Sequence, residues 1–162
     1  MKDIRAQVWK VLYDSDTGSS VVLLRTEPEE TVIPIWVGQA EALSIAAAAE
    51  KVSLGRPMTH DLLKTVLDAA EMTVEWVRIH DLQDGTFFAL IQLERDGVSI
   101  DVDSRPSDAM AIALRFDAPI FVAEKVLADV LRDFAELPED IENLAEDYLA
   151  NLPDEIFGKY KM

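Results

Sequence analysis

Arginine-proline pairs occur twice in this chain, Arg56-Pro57 and Arg105-Pro106, each followed closely by a hydroxyl (Thr59, Ser107) and an acid (Asp61, Asp108). Each pair sets a guanidinium at the mouth of a new helix, where unpaired N–H groups and the helix dipole favour an anion. Two such mouths facing each other would make a phosphate site. Arg56 and Arg105 would grip the oxygens bidentately, and Thr59 and Ser107 would add hydroxyl contacts. In the competing reading the guanidinium groups pair with Asp61, Asp103 or Asp108 and fix loops, while Thr59 and Ser107 serve as helix caps.

Proton transfer falls to His60, the side chain that titrates nearest neutrality, with Asp61, Asp103 and Asp108 as acidic candidates beside it. If Thr59 caps its helix, His60 and the adjacent Asp61 point in different directions, so they do not share one relay. The packing alternative is an imidazole bonded to backbone near the cap. Asp101 and Asp103 alternate along one strand face, and with Asp108 they could hold Mg²⁺ or Mn²⁺ through oxygen and leave waters for in-line attack on phosphorus. Alternating acids are also what the wet face of a strand looks like. With no cysteine in 162 residues, disulfides and thiolate zinc sites are excluded. Neither a glycine-rich phosphate loop nor a dinucleotide fingerprint is present.

Charge restricts the substrate. The chain has 31 acids against 15 bases, a net charge of −16, and the excess lies on both sides of residue 123. Long polyanions are repelled at a distance, so binding them needs a local basic patch, a bound cation or a short substrate. Trp9, Trp36, Trp76, Phe87 and Phe88 could stack on bases, but among apolar strand neighbours they read as core or subunit interface. No run approaches the roughly 18 apolar residues of a membrane span, so the expectation is a cytoplasmic protein with no membrane contact.

The elements that must position these groups follow from periodicity. Residues 4–13 and 21–25 form a hairpin around the Asp14–Gly18 turn cluster, and Val32–Val37 is a further strand that Pro34 confines to an edge or a bulge. An alanine-rich helix runs from Gln39 to Lys51. A second helix, capped by Thr59, carries an apolar stripe of Leu62, Leu63, Val66, Leu67 and Ala70, with Asp61, Lys64, Thr65 and Asp68 turned away. Three strands punctuated by Asp84-Gly85 and Asp96-Gly97 make an antiparallel meander. In its last strand Val98, Ile100 and Val102 point one way, Ser99, Asp101 and Asp103 the other. A helix from Ser107 to Phe116, an interior strand at Pro119–Val122 and a helix from Glu124 to Phe134 follow. Shifted by 67 residues, Glu41–Ala46 aligns with Asp108–Ala113 at three identities, which reads as a duplicated strand-helix unit. The fold class is α/β (α+β): a mixed sheet with packed helices over residues 1–132, then an acidic helical tail over 133–162.

The segments Pro34–Gly38, Glu41-Ala42, Arg56–Leu63, Asp84–Ala89, Asp103–Ala109 and Pro119–Val122, in that order and spacing, resemble the bifunctional nuclease domain family across residues 4–132. The resemblance implies a duplicated mixed α/β domain, association into a homo-oligomer, and degradation of both RNA and DNA. Plant members carry a further helical module that the tail here does not match. The expected function is a phosphodiesterase of little sequence preference, assisted by Mg²⁺ or Mn²⁺. Its catalytic residues are His60, Asp61, Asp103 and Asp108, its phosphate ligands Arg56, Thr59, Arg105 and Ser107, and its metal ligands Asp101, Asp103 and Asp108. The rival is a non-catalytic oligomeric module that binds a nucleotide or another small anion.

Overall fold

A computed structural model describes residues 2–13, 18–53 and 55–134; the expected acidic tail, from residue 135 onward, lies outside the described residues. The strands are β1 (Asp3–Tyr13), β2 (Ser20–Glu27), β3 (Val32–Val37), β4 (Thr73–Gln83), β5 (Thr86–Arg95), β6 (Val98–Ser104) and β7 (Ile120–Ala123). The helices are α1 (Gln39–Ala49), α2 (Thr59–Ala69), α3 (Pro106–Phe116) and α4 (Glu124–Phe134). All seven strands form one mixed sheet in the order β3-β2-β1-β7-β4-β5-β6.

Local chemistry explains the strand joints. Asp84-Gly85 and Asp96-Gly97 each place two consecutive residues at positive φ (49° and 75°, 52° and 77°), the geometry of a two-residue hairpin whose twist matches its strands. Pro34, which has no N–H to donate, sits in β3, an edge strand paired, among the described residues, only with β2.

The duplication is visible in the topology. β7 occupies the centre, antiparallel to β1 and parallel to β4, so two three-stranded meanders run outward from it in opposite senses. Each ends in an edge strand followed by an 11-residue helix, and those helices begin at Gln39 and Pro106, 67 positions apart. α1 packs on β1 and β2, α3 on β4 and β5, and the two helices pack on each other. They run in the same direction. Glu41 in the first turn of α1 meets Arg105 at the start of α3, while Ala47, Ala48 and Lys51 share a cavity with Leu114, Arg115 and Asp117 at the other end.

One row of cross-strand partners traverses the core: Thr26, Ala6, Ile120, Val77, Ile91 and Val102. The first five are buried, whereas Val102 on β6 is 39% exposed. The apolar face of the sheet therefore continues beyond the cover of the helices.

Two expectations change. The apolar stripe of α2 does not face the core: Leu62, Leu63 and Val66 are exposed, and the inward side is His60, Asp61, Lys64 and Leu67, of which His60 is buried. The polar stripe turns inward because partners wait for it on α1 and α3, and Lys64 lies over the Phe116 ring at 4.5 Å. The helix caps also move. Met58, extended at φ −77° and ψ 174°, is the residue that caps α2, and Asp61 accepts its backbone N–H at 2.8 Å, so Thr59 is already helical. Arg105 takes the same place before α3, because Pro106 is well suited to the first helical position. Ser107 then falls inside the helix, fully buried, with a hydroxyl that has no hydrogen-bond partner among the described residues.

Candidate nuclease site

A chain of seven polar side chains threads the three helices. Glu41 meets Arg105 at 3.1 Å. Arg105 makes a two-pronged contact with Asp108, Nε to Oδ2 at 2.8 Å and Nη2 to Oδ1 at 3.0 Å. Asp108 Oδ1 lies 3.0 Å from His60 Nε2, and His60 Nδ1 lies 2.8 Å from Ser44 Oγ. Arg115 Nη2 donates to that same oxygen at 3.1 Å, and its Nε donates to Asp61 at 2.7 Å.

Charge states follow from the partners. Burial pushes the Asp108 carboxyl up, but hydrogen bonds from Arg105 and His60 together outweigh it and hold it below the usual value. The Met58 N–H and then Arg115 lower Asp61. The bond to Asp108 raises the already high Arg105. An ionised Asp108 can only accept, so His60 carries its hydrogen on Nε2. With the ring neutral, Ser44 donates to Nδ1 while accepting from Arg115.

Serine, histidine and carboxylate in that order are the parts of a hydrolytic triad. Here they act as a tie. Ser44 is 1% exposed in the interior of α1, out of reach of a substrate. His60 and Asp61 diverge, one into this tie and the other toward Arg115.

The part of the network that faces solvent is its Arg105 end. A cavity of about 400 Å³ is lined by Thr86, Phe87, Phe88, Asp103, Ser104, Arg105 and Asp108. The Arg105 side chain is 53% exposed there. Asp103 in the same cavity has no hydrogen-bond or ion-pair partner among the described residues. Arg56 does not join it. That residue is exposed, lacks a polar partner among the described residues and lines neither this cavity nor the one at Arg115. The guanidinium groups that do pair with carboxylates on the helices are Arg105 and Arg115, at opposite ends of α3.

Asp101, Asp103 and Asp108 are not gathered as a metal cage. Asp101 accepts from Gln92 at 3.2 Å, and both oxygens of Asp108 are engaged by Arg105. Among the described residues no three acids or histidines are grouped to hold a cation. Among the described residues, then, Asp101, Asp103 and Asp108 do not form a ready cage for Mg²⁺ or Mn²⁺.

Arg115 was invisible to sequence reasoning. A basic residue in the last turn of a helix reads as complement to the dipole, and nothing in its spacing signals Ser44 or Asp61, 71 and 54 positions away.

The model of the bifunctional nuclease domain matches residues 22–134, most of the chain and all of the site. The chain belongs to the bifunctional nuclease domain family. Over 108 residues it is 46% identical to an uncharacterized protein of Mycobacterium tuberculosis, covering 67% of this chain and 64% of that one. It is 33% identical to bifunctional nuclease 2 of Oryza sativa subsp. japonica over 64% of this chain and 33% of the plant protein. For bifunctional nuclease 1 of the same plant the identity is 26%, over 71% and 36%. The matched segment thus spans about two thirds of the mycobacterial relative and about a third of the plant ones. Among the described residues no helix is long and apolar enough to cross a membrane.

Proposed function

We propose that this chain hydrolyses phosphodiester bonds of RNA and DNA at the cavity beside Arg105. The observation that carries the reading is the pairing, in one open cavity, of a half-exposed guanidinium with an unpartnered carboxylate, Asp103. Arg105 holds a phosphate oxygen and stabilises the charge that builds on phosphorus. Asp103 accepts the proton of the attacking water as the new O–P bond forms, and the leaving oxygen takes a proton from solvent as its bond to phosphorus breaks. Asp108 and Glu41 hold Arg105 in place, and His60 secures Asp108 from behind. Contacts to phosphate carry no base information, which gives little sequence preference. Self-association belongs to the same reading, because the outward apolar side chains of α2 and β6 have no cover among the described residues.

A second reading is favoured by the net charge of −16 and a cavity of nucleotide size: a module that holds a small phosphorylated ligand without turning it over. One experiment separates the two. Purified protein is incubated with end-labelled RNA and DNA in Mg²⁺, in Mn²⁺ and in chelator, beside Arg105→Ala and Asp103→Asn. The hydrolase reading expects cleavage that both substitutions reduce about 100-fold or more. Cleavage unchanged in both is a contaminant and defeats it, and nucleotide binding without cleavage supports the module.

A further inference from the structure

The two edges of the sheet are treated differently. β3 carries Pro34, whose missing N–H blocks further pairing. β6 has no proline, no bulge and a regular register with β5 over all seven residues. Its apolar side chains Val98, Ile100 and Val102 are 60%, 41% and 39% exposed, although they extend the buried face of the sheet. An open, regular edge with an uncovered apolar face is half of a strand pair.

We propose that β6 pairs antiparallel with β6 of a second copy, about a two-fold axis through Ile100. This rests on the self-association in the function proposed above and adds its surface and register. The register follows from hydrogen-bond alternation. Arg95 and Val98 close the two-residue Asp96-Gly97 hairpin, so Val98, Ile100 and Val102 spend their backbone groups on β5, and Ser99, Asp101 and Asp103 turn theirs outward. Only registers that match outward residues with outward residues can form. A dyad at Asp101 sets Asp101 against its own copy, and one at Val102 sets Asp101 against Asp103 twice, both like-charge oppositions. The dyad at Ile100 sets Ser99 against Asp101 and Asp103 against Gly97, which has no side chain. On the other face it sets Val98 against Val102 and Ile100 against itself. A dyad at Ser99 would instead leave Val102 facing a turn. One register therefore matches backbone, apolar face and charge, and it is self-complementary, as a two-fold interface requires.

The cysteine-free sequence makes single-cysteine variants of the full chain clean reporters. Under mild oxidation Ile100→Cys is expected to cross-link to a covalent dimer, because residues opposite each other in a non-hydrogen-bonded pair are within disulfide reach. Val98→Cys alone is not expected to do so, while a mixture of Val98→Cys with Val102→Cys is. Ser99→Pro removes an outward N–H without touching the β5 pairing, and should weaken assembly at least about tenfold by light scattering while leaving the circular dichroism spectrum unchanged. A protein that is monomeric at all concentrations overturns both self-association and this interface. An assembly that survives Ser99→Pro and gives no Ile100→Cys cross-link overturns the interface alone and leaves self-association standing.

Discussion

His60 Nε2 lies 3.0 Å from Asp108 Oδ1, and this contact between residues 48 positions apart fastens α2 to α3. On its other side the ring is bound to Ser44 of α1, so one buried imidazole joins three helices. Replacing it by alanine removes one of the partners of both Ser44 and Asp108, each of which then keeps only an arginine. His60→Ala should cost about 1 to 3 kcal/mol in urea unfolding at pH 7. A loss below about 0.3 kcal/mol would mean that the ring does not hold the helices together.

Arg115 is 7% exposed at its side chain and Asp61 42%. Arg115→Met should destabilise by about 2 to 3 kcal/mol, less than the full cost of breaking a buried pair because Asp61 can turn to water. Combined with Asp61→Asn in a double-mutant cycle, it should show a coupling of at least about 0.5 kcal/mol. Strict additivity of the two losses would refute the contact.

Removing Arg105 should affect chemistry more than stability. Its side chain is half exposed, so Arg105→Ala should shift unfolding by no more than about 1 kcal/mol. Asp108 loses its largest favourable partner while its burial remains, so its carboxyl should titrate at higher pH than in the parent. Carboxyl-detected NMR titration reads this directly, and an unmoved Asp108 would count against the pairing.

Acid should weaken the fold in a defined window. Asp81 is lowered from 3.8 to about 2, first by Lys125 and then by Gln83. A depressed carboxyl stabilises the folded state above its unfolded pKa, and the contribution is lost as pH falls through the folded one. Because Lys125 is half exposed, Asp81→Asn should cost under about 1 kcal/mol at pH 7. Between pH 3.8 and 2 the gap between variant and parent should close. A gap that stayed constant across that interval would assign the effect to something other than ionisation.

How much of this could be read in advance depends on whether the signal was local. The Asp84-Gly85 and Asp96-Gly97 hairpins were legible because only a few residue types tolerate positive φ at both turn positions. The duplication was legible in six residues, Glu41–Ala46 against Asp108–Ala113. The direction in which α2 faces was not, since a stripe of Leu62, Leu63 and Val66 says that something apolar must cover it, not which surface does. The network failed in sequence for the same reason. Ser44 resembles any small residue in an alanine-rich helix, and only folding brings it between His60 and Arg115. Arg105 and Asp108 were found because they lie three positions apart, and Arg56 misled because an identical dipeptide need not have an identical neighbourhood.

The central place of β7 has a consequence for synthesis. Among the described residues this four-residue strand is the only one bonded to both meanders, and it emerges from the ribosome after more than a hundred earlier residues. Until then the two ribbons can touch through α1, α2 and α3 but share no strand, and each leaves a raw margin open to wrong partners. Completion of the sheet must wait for Ile120–Ala123 to slot between them, so truncations that stop short of this strand should leave two ribbons tethered through their helices alone instead of a smaller version of the whole.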